Sequence, residues 1–267
     1  MSIALAFLKR DLSTALSYRL SFILRIFGIF FSVASFYFLS RLFGGAMVSQ
    51  LEEYGGDYFS FVLIGLAFTG YLGLSLSNFS SSIRQGQMTG TLEIMLLSPT
   101  RLSVILLSSS LWSYLETTVN VVIYLIVGAL IFGFSVSEAN FLTALVVLIL
   151  SVASFSGFGI LSAAIVLVVK QGDPIAWLMG GASSLLAGVY YPITVLPDWL
   201  TPISHIIPLT YALDAMRLAM LKGYSLYEVR FDVLVLLGFA LVLTPLSFLV
   251  FRQALKRAKK EGSLIQY

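Results

Sequence analysis

The sequence has no cysteine, one histidine and very little charge. Without cysteine, neither a disulfide framework nor a thiolate metal site can form. The single His205 cannot build a histidine metal cluster within one chain, and as a loop residue it has no need of a ligand role. Charged residues make up 11% of the 267, against roughly 25% in an ordinary globular domain, which leaves too little polar surface to solvate a water-soluble fold. The net charge of +3 is no nucleic-acid signal, because the basic residues gather at the ends of apolar runs, where membrane topology accounts for them. No Walker-type phosphate loop occurs, so the chain carries no P-loop ATPase and needs no cofactor of its own. No internal repeat is visible, which counts against secondary carriers built from inverted repeats.

What is present is apolar: 58% hydrophobic residues and a mean hydropathy of +0.96. With lipid as the solvent, backbone hydrogen bonding leaves only helix bundles or closed barrels. Barrel strands alternate over about ten residues; the runs here are longer, unalternated and rich in Leu, Ile, Phe, Gly and Ala, so they predict helices. A span needs about 20 apolar residues. Runs that meet this lie at 22–42, 58–79, 104–134, 141–169, 175–196 and 231–251. The third and fourth exceed the minimum and are expected to tilt or project beyond the bilayer.

Residues 1–21 read differently. Leu5, Leu8, Leu12, Ala15, Leu16 and Leu20 recur at steps of three and four, with Lys9, Arg10, Asp11 and Ser13 largely off that stripe. This predicts an amphipathic helix lying in the membrane interface rather than a cleaved leader, whose apolar region the charges would interrupt. Lys9, Arg10, Arg19, Arg84, Arg101, Lys170 and the basic tail 253–267 fall on one side of a six-span arrangement. Glu52, Glu53, Asp57 and Glu138 fall on the other, without Lys or Arg in their loops; only Arg217, Lys222 and Arg230 in the last outer loop break the pattern. The expectation is a multi-pass cell-membrane protein with both termini cytoplasmic.

Two connections carry more information than loops usually do. Residues 80–103 are polar at both ends, with Gly86 and Gly90 as breaks and Pro99 as a stop. Between them a short helix is expected over Thr91 to Leu97, with Glu93 near its N-terminal turn, where the helix dipole favours a carboxylate. It reads either as an ordinary cytoplasmic loop or as a helix that docks into a partner. Residues 190–224 are too apolar for a solvated loop, yet Pro192, Pro197, Pro202 and Pro208 break any stretch of spanning length. Short broken helices dipping into the outer leaflet satisfy both facts. Beyond Pro208 a further helix is expected, on which Asp214 and Arg217 are spaced for an ion pair.

The segment GTLEIMLLSPTR, from Gly90, resembles the short cytoplasmic coupling segment of type-2 ABC permeases. The stretch YYPITVLPDWLTPISHIIPLTYALDAMR resembles the pattern before that family's last span, through Pro192, Leu196, Pro197, Pro208, Thr210 and Arg217. With the span count, the N-terminal helix and the length, the resemblance covers nearly the whole chain. It implies an all-α integral membrane protein of six transmembrane helices, with an interfacial N-terminal helix and broken re-entrant helices between the fifth and sixth spans. It also implies a half-transporter: residues 22–252 as the transmembrane domain, a second permease, expected to be an identical copy in a homodimer, and two separate ABC ATPase subunits that hold ATP and Mg. Gly90, Thr91, Leu92 and Glu93 would then seat on the ATPase, and 192–221 would form the outer gate.

Ionisable residues inside spans are costly and are candidates for function. Glu116 falls near the middle of the third run, and Ser109, Ser113, Glu116, Asn120 and Tyr124 share one helix face. That face lines either the substrate path or the dimer seam, or it is internal packing. Arg25 is expected to snorkel to the nearby interface rather than pair with Glu116, and Arg41 to snorkel at the opposite end. Gly65, Gly70 and Gly73, and Ala153, Gly157, Gly159 and Ala163, have the small-residue spacing of close helix contacts. The expected function is outward, ATP-driven movement of a lipophilic or amphipathic drug, natural product or lipid, with a polysaccharide or glycolipid exporter as the alternative inside the family. An ion channel or secondary carrier would need a filter or charge relay. An intramembrane lipid-modifying enzyme would need clustered His, Asp or Glu at depth.

Overall fold

The computed structural model describes residues 3–43, 48–91, 97, 102–169 and 173–260. Among them the chain is helical, without strands. The main helices are α1 (Ile3–Ser17), α2 (Arg19–Phe43), α3 (Tyr58–Met88), α4 (Leu102–Phe132), α5 (Phe141–Val169), α6 (Pro174–Leu186), α7 (Pro208–Leu221) and α8 (Arg230–Lys260). Local chemistry sets several starts. Asp57 accepts from the amides of Phe59 and Ser60 at the head of α3, Asn140 accepts from Thr143 at the head of α5, and Asp173 caps α6 immediately before Pro174.

Five described helices are long and apolar enough to cross a membrane: Leu20–Leu42, Tyr58–Met88, Ser110–Phe132, Phe141–Val169 and Arg230–Ala258. The expected fifth run over 175–196 is helical only in its first part. The 13 residues of α6 extend about 20 Å at 1.5 Å per residue, short of the roughly 30 Å hydrocarbon core. Gly188 then takes a left-handed φ of +77° and Pro192 stands in extended conformation, so the helix cannot continue.

The core is built on two inner helices. In α3 61% of an apolar 18-residue stretch is buried and in α5 44%, against 11% in α2, α4 and α8, so α3 and α5 are the helices the others pack around. Small residues permit this. A Cβ on Gly159 of α5 would lie 1.8 Å from the Ser75 carbonyl oxygen of α3, and one on Gly157 would lie 2.7 Å from Leu243 Cβ of α8. Ser154 Oγ, fully buried, donates to the Leu236 carbonyl at 2.8 Å and ties α5 to α8. Not every small residue serves this end, since Gly73 faces open space.

Two boundaries differ from expectation. Helix α3 runs on to Met88, so Gly86 is not a break but a buried helical residue, and Gln87 beside it is buried against the end of α5. The break falls at Gly90, with a φ of +69° that a side chain would resist. Helix α8 likewise continues to Lys260 and takes in most of the basic tail. Between α6 and α7 the proline-rich stretch forms two single turns, Ile193–Val195 and Thr201–Ser204, and then α7, a 14-residue helix buried on nearly every face.

Candidate functional site

The polar face of α4 meets α2 at one point of charge. Arg25 and Glu116 form an ion pair, each side chain about one-third exposed. Arg25 therefore pairs instead of snorkelling. Glu116 lies near the middle of α4, the helix Leu102–Phe132, and Arg25 lies about 8 Å inside the span that begins at Leu20.

A cavity of about 480 Å³ opens next to the pair, between α2, α3 and α4. Arg25 and Gly28 form one wall, Gly70 another, and Thr117, Asn120 and Tyr124 the third. The structure thus brings Glu116, Asn120 and Tyr124 of the predicted face to a common seam; Ser113 is half-buried on the same helix and lines neither this cavity nor the larger hollow beside α1. Asn120 Oδ1 is buried without a hydrogen-bond partner, a state that costs about 1–3 kcal/mol unless a ligand or water relieves it.

Beside that face runs a second set of hydroxyls that spacing alone did not single out. Tyr114 Oη lies 3.0 Å from both Ser75 Oγ of α3 and Ser156 Oγ of α5, and Tyr71 Oη lies 2.7 Å from Thr118 Oγ1. These bonds join three helices where lipid offers no alternative partner. The signal was present in the sequence as Ser75 and Ser156 on two predicted spans, but a hydroxyl that can bond its own helix backbone gives no sign of which neighbour it faces.

At the other end of the bundle α7 carries the second cluster. Asp214 and Arg217 do not bond one another. Tyr54 Oη donates to Asp214 Oδ1 at 2.5 Å. Arg217, 3% exposed, donates from Nε to the Phe61 carbonyl at 3.1 Å and from Nη2 to the Val189 carbonyl at 3.0 Å. Its guanidinium also lies 3.4 Å from the centre of the Phe61 ring, a cation–π contact. Gly65 makes this possible: a Cβ there would sit 2.4 Å from the Val189 oxygen and 2.8 Å from Arg217 Nη2. Burial pushes the Asp214 carboxyl above its ordinary range, while the Tyr54 hydroxyl and the Arg217 charge pull it back. Burial also pushes the Tyr54 hydroxyl up, reinforced by the Asp214 charge. Arg217 is drawn below its ordinary value by burial, opposed by Tyr54 and Asp214, but a guanidinium starts so high that it stays protonated. Of the predicted outer residues, Pro208 opens α7, Pro192 precedes the first single turn and Pro197 precedes the second.

On the opposite side, Gly90 and Thr91 follow the end of α3, with Thr91 Oγ1 2.8 Å from Thr89 Oγ1. Leu92 and Glu93, the rest of the expected coupling segment, lie outside the described residues.

Residues 5–221 match the family described as ABC-2 type transporter. The chain belongs to that family. ABC transporter G family member 20 of Dictyostelium discoideum is 28% identical over 193 residues, which cover 71% of this chain and 25% of that relative. The matched stretch is thus about a quarter of the relative's length. The family match takes in α1 through α7, and so includes both the seam at Arg25 and Glu116 and the buried Arg217. The ABC-2 chain is accordingly a transporter membrane domain.

Proposed function

We propose that this ABC-2 chain is the permease half of an ATP-driven exporter that moves a lipophilic or amphipathic molecule outward. The observation that carries the reading is the seam: an ion pair, an unpartnered Asn120 oxygen and Tyr124 around a cavity inside an otherwise apolar bundle. Polar groups at such depth are retained where they serve passage or a moving interface. Two copies pair, and two ABC ATPases bind ATP and Mg on the cytoplasmic side. The Gly90–Glu93 segment sits on the ATPase and carries its closure to α3 and α4, in alternating access between inward-open and outward-open states. Both termini are cytoplasmic, α1 lies in the inner interface with Leu5 and Leu12 toward lipid, and the broken segment 190–224 re-enters the outer leaflet as the outer gate. The exposed leucines of α1, 56% and 47%, support the interfacial placement, since the fold leaves its apolar stripe uncovered.

The test is reconstitution of the chain with an ABC ATPase encoded beside it, in proteoliposomes carrying a fluorescent amphiphile. ATP-dependent export that disappears in the Glu116→Gln variant supports the reading. Movement that needs no ATPase points to a channel or carrier and overturns it.

A further inference from the structure

A second, larger hollow lies between α1, the start of α2 and α4, with a volume of about 1030 Å³. Its walls are largely apolar, and Leu12, Phe22, Leu115 and Val119 remain 46–51% exposed within it. At one end stand Arg25 and Glu116, so the ion pair is the partition between this groove and the polar cavity behind it. Asp11 also borders the groove, held by Arg10 at 2.7 Å. In a bilayer a groove of this size is filled, because walls facing a void lose their dispersion contacts.

The charges restrict what fills it. A purely anionic head would draw Arg25 off Glu116 and leave a carboxylate unpaired at low dielectric, which is costly. An uncharged head can offer hydroxyls to both groups but no opposite charge to either, and so binds more weakly. A head with both signs can place an anion on the guanidinium and a cation on the carboxylate, leaving no charge alone. We infer that this groove holds one phospholipid whose headgroup carries a phosphate, seated on Arg25, and a primary amine, seated on Glu116, with an acyl chain along Leu12, Phe22, Leu115 and Val119. The site takes its membrane depth from the topology of the exporter reading but does not depend on ATP-driven transport. The lipid is a resident that wedges α1 against α4, so its loss frees the N-terminal helix.

The whole chain is purified in mild detergent, stripped of lipid, and given phosphatidylethanolamine, phosphatidylglycerol or a phosphate-free diacyl glycoside in separate samples. Native mass spectrometry reads the lipid retained. One phosphatidylethanolamine is expected, held at least about tenfold better than the other two, a difference of roughly 1.4 kcal/mol. Arg25→Gln and Glu116→Gln should each erase the preference, Arg25→Lys should keep it, and Leu115→Trp should expel the lipid from a protein that still folds. Equal retention of all three lipids, or unchanged retention in Leu115→Trp, overturns the site. The chain has no cysteine, so a Leu115→Cys variant tests the remaining occupant: disulfide-linked dimers in membranes would put a second copy in the groove and overturn the lipid. Retention without ATP-driven export refutes the exporter reading alone, whereas export with no lipid preference refutes this one alone.

Discussion

Gly65 and Gly73 stand two turns apart on α3, and the same substitution is expected to act on them in opposite directions. A Cβ on Gly65 would lie 2.4 Å from the Val189 oxygen and 2.8 Å from Arg217 Nη2. Neither neighbour yields cheaply: the first is backbone, and the second is a guanidinium held by two carbonyls. Overpacking costs about 1–3 kcal/mol. Losing the charge-assisted bond to Val189 costs about 1.5–3 kcal/mol more, and better helix propensity returns about 1 kcal/mol. Gly65→Ala should therefore lose about 3 kcal/mol. Gly73 has nothing within 4 Å, so Gly73→Ala should cost nothing and gain up to about 1 kcal/mol. Equilibrium unfolding in mixed micelles, followed by the fluorescence of the three tryptophans, separates the two. Adding Arg217→Ala to Gly65→Ala should be markedly less than additive, since both remove the same contact. A Gly65→Ala protein as stable as Gly73→Ala would refute the close packing of α3 on residue 189.

Arg217→Lys keeps the charge but cannot reach both carbonyls and the Phe61 face, and should lose about 2 kcal/mol in the same unfolding assay. Asp214 has a raised folded-state pKa, so its contribution is whole below its ordinary value of 3.8 and is lost as pH rises through the folded value. Asp214→Asn, still able to accept from Tyr54, should flatten the pH dependence of unfolding in that range, and an unchanged profile would place the titration elsewhere. A double-mutant cycle on Arg25→Gln and Glu116→Gln should give a coupling above the roughly 1 kcal/mol of a water-exposed pair, because both groups lie within apolar spans where water does not screen them. If Glu116→Gln leaves both transport and dimer yield unchanged, the seam is packing. Glu93→Ala or Glu93→Arg should uncouple ATP hydrolysis from export without impairing insertion; normal transport and normal stimulated hydrolysis would remove Glu93 from the coupling role.

Hydropathy and period carried the long helices because those features belong to one segment at a time. The run at 141–169 is the helix Phe141–Val169 to the residue, and the α4 stripe does bring Glu116, Asn120 and Tyr124 to one seam. Helix ends were less legible where solvent-side polarity imitates a loop: Ser80 to Met88 is polar enough to read as a connection, yet it continues α3 with Gly86 and Gln87 buried. Partners across the bundle were least legible. From the sequence Arg25 is expected to snorkel, and only the contact of α2 with α4 pairs it with Glu116 instead.

The case of Arg217 shows why. Its spacing to Asp214 fits an ion pair on α7, but its acceptors are two main-chain carbonyls, at Phe61 and Val189, and a carbonyl has no residue type to recognise. The prolines nevertheless imply such a need. Pro192 and Pro197 prevent α6 from continuing, so the backbone beyond Leu186 loses its helical donors while Ala187 and Val189 stay 1% exposed. A buried carbonyl must find a donor, and in apolar surroundings the donor must come from a side chain. Arginine supplies several in a fixed fork and keeps its charge when buried. The broken outer helix and the late arginine thus form one device: the prolines expose backbone oxygen, Arg217 satisfies it, and Gly65 leaves the room.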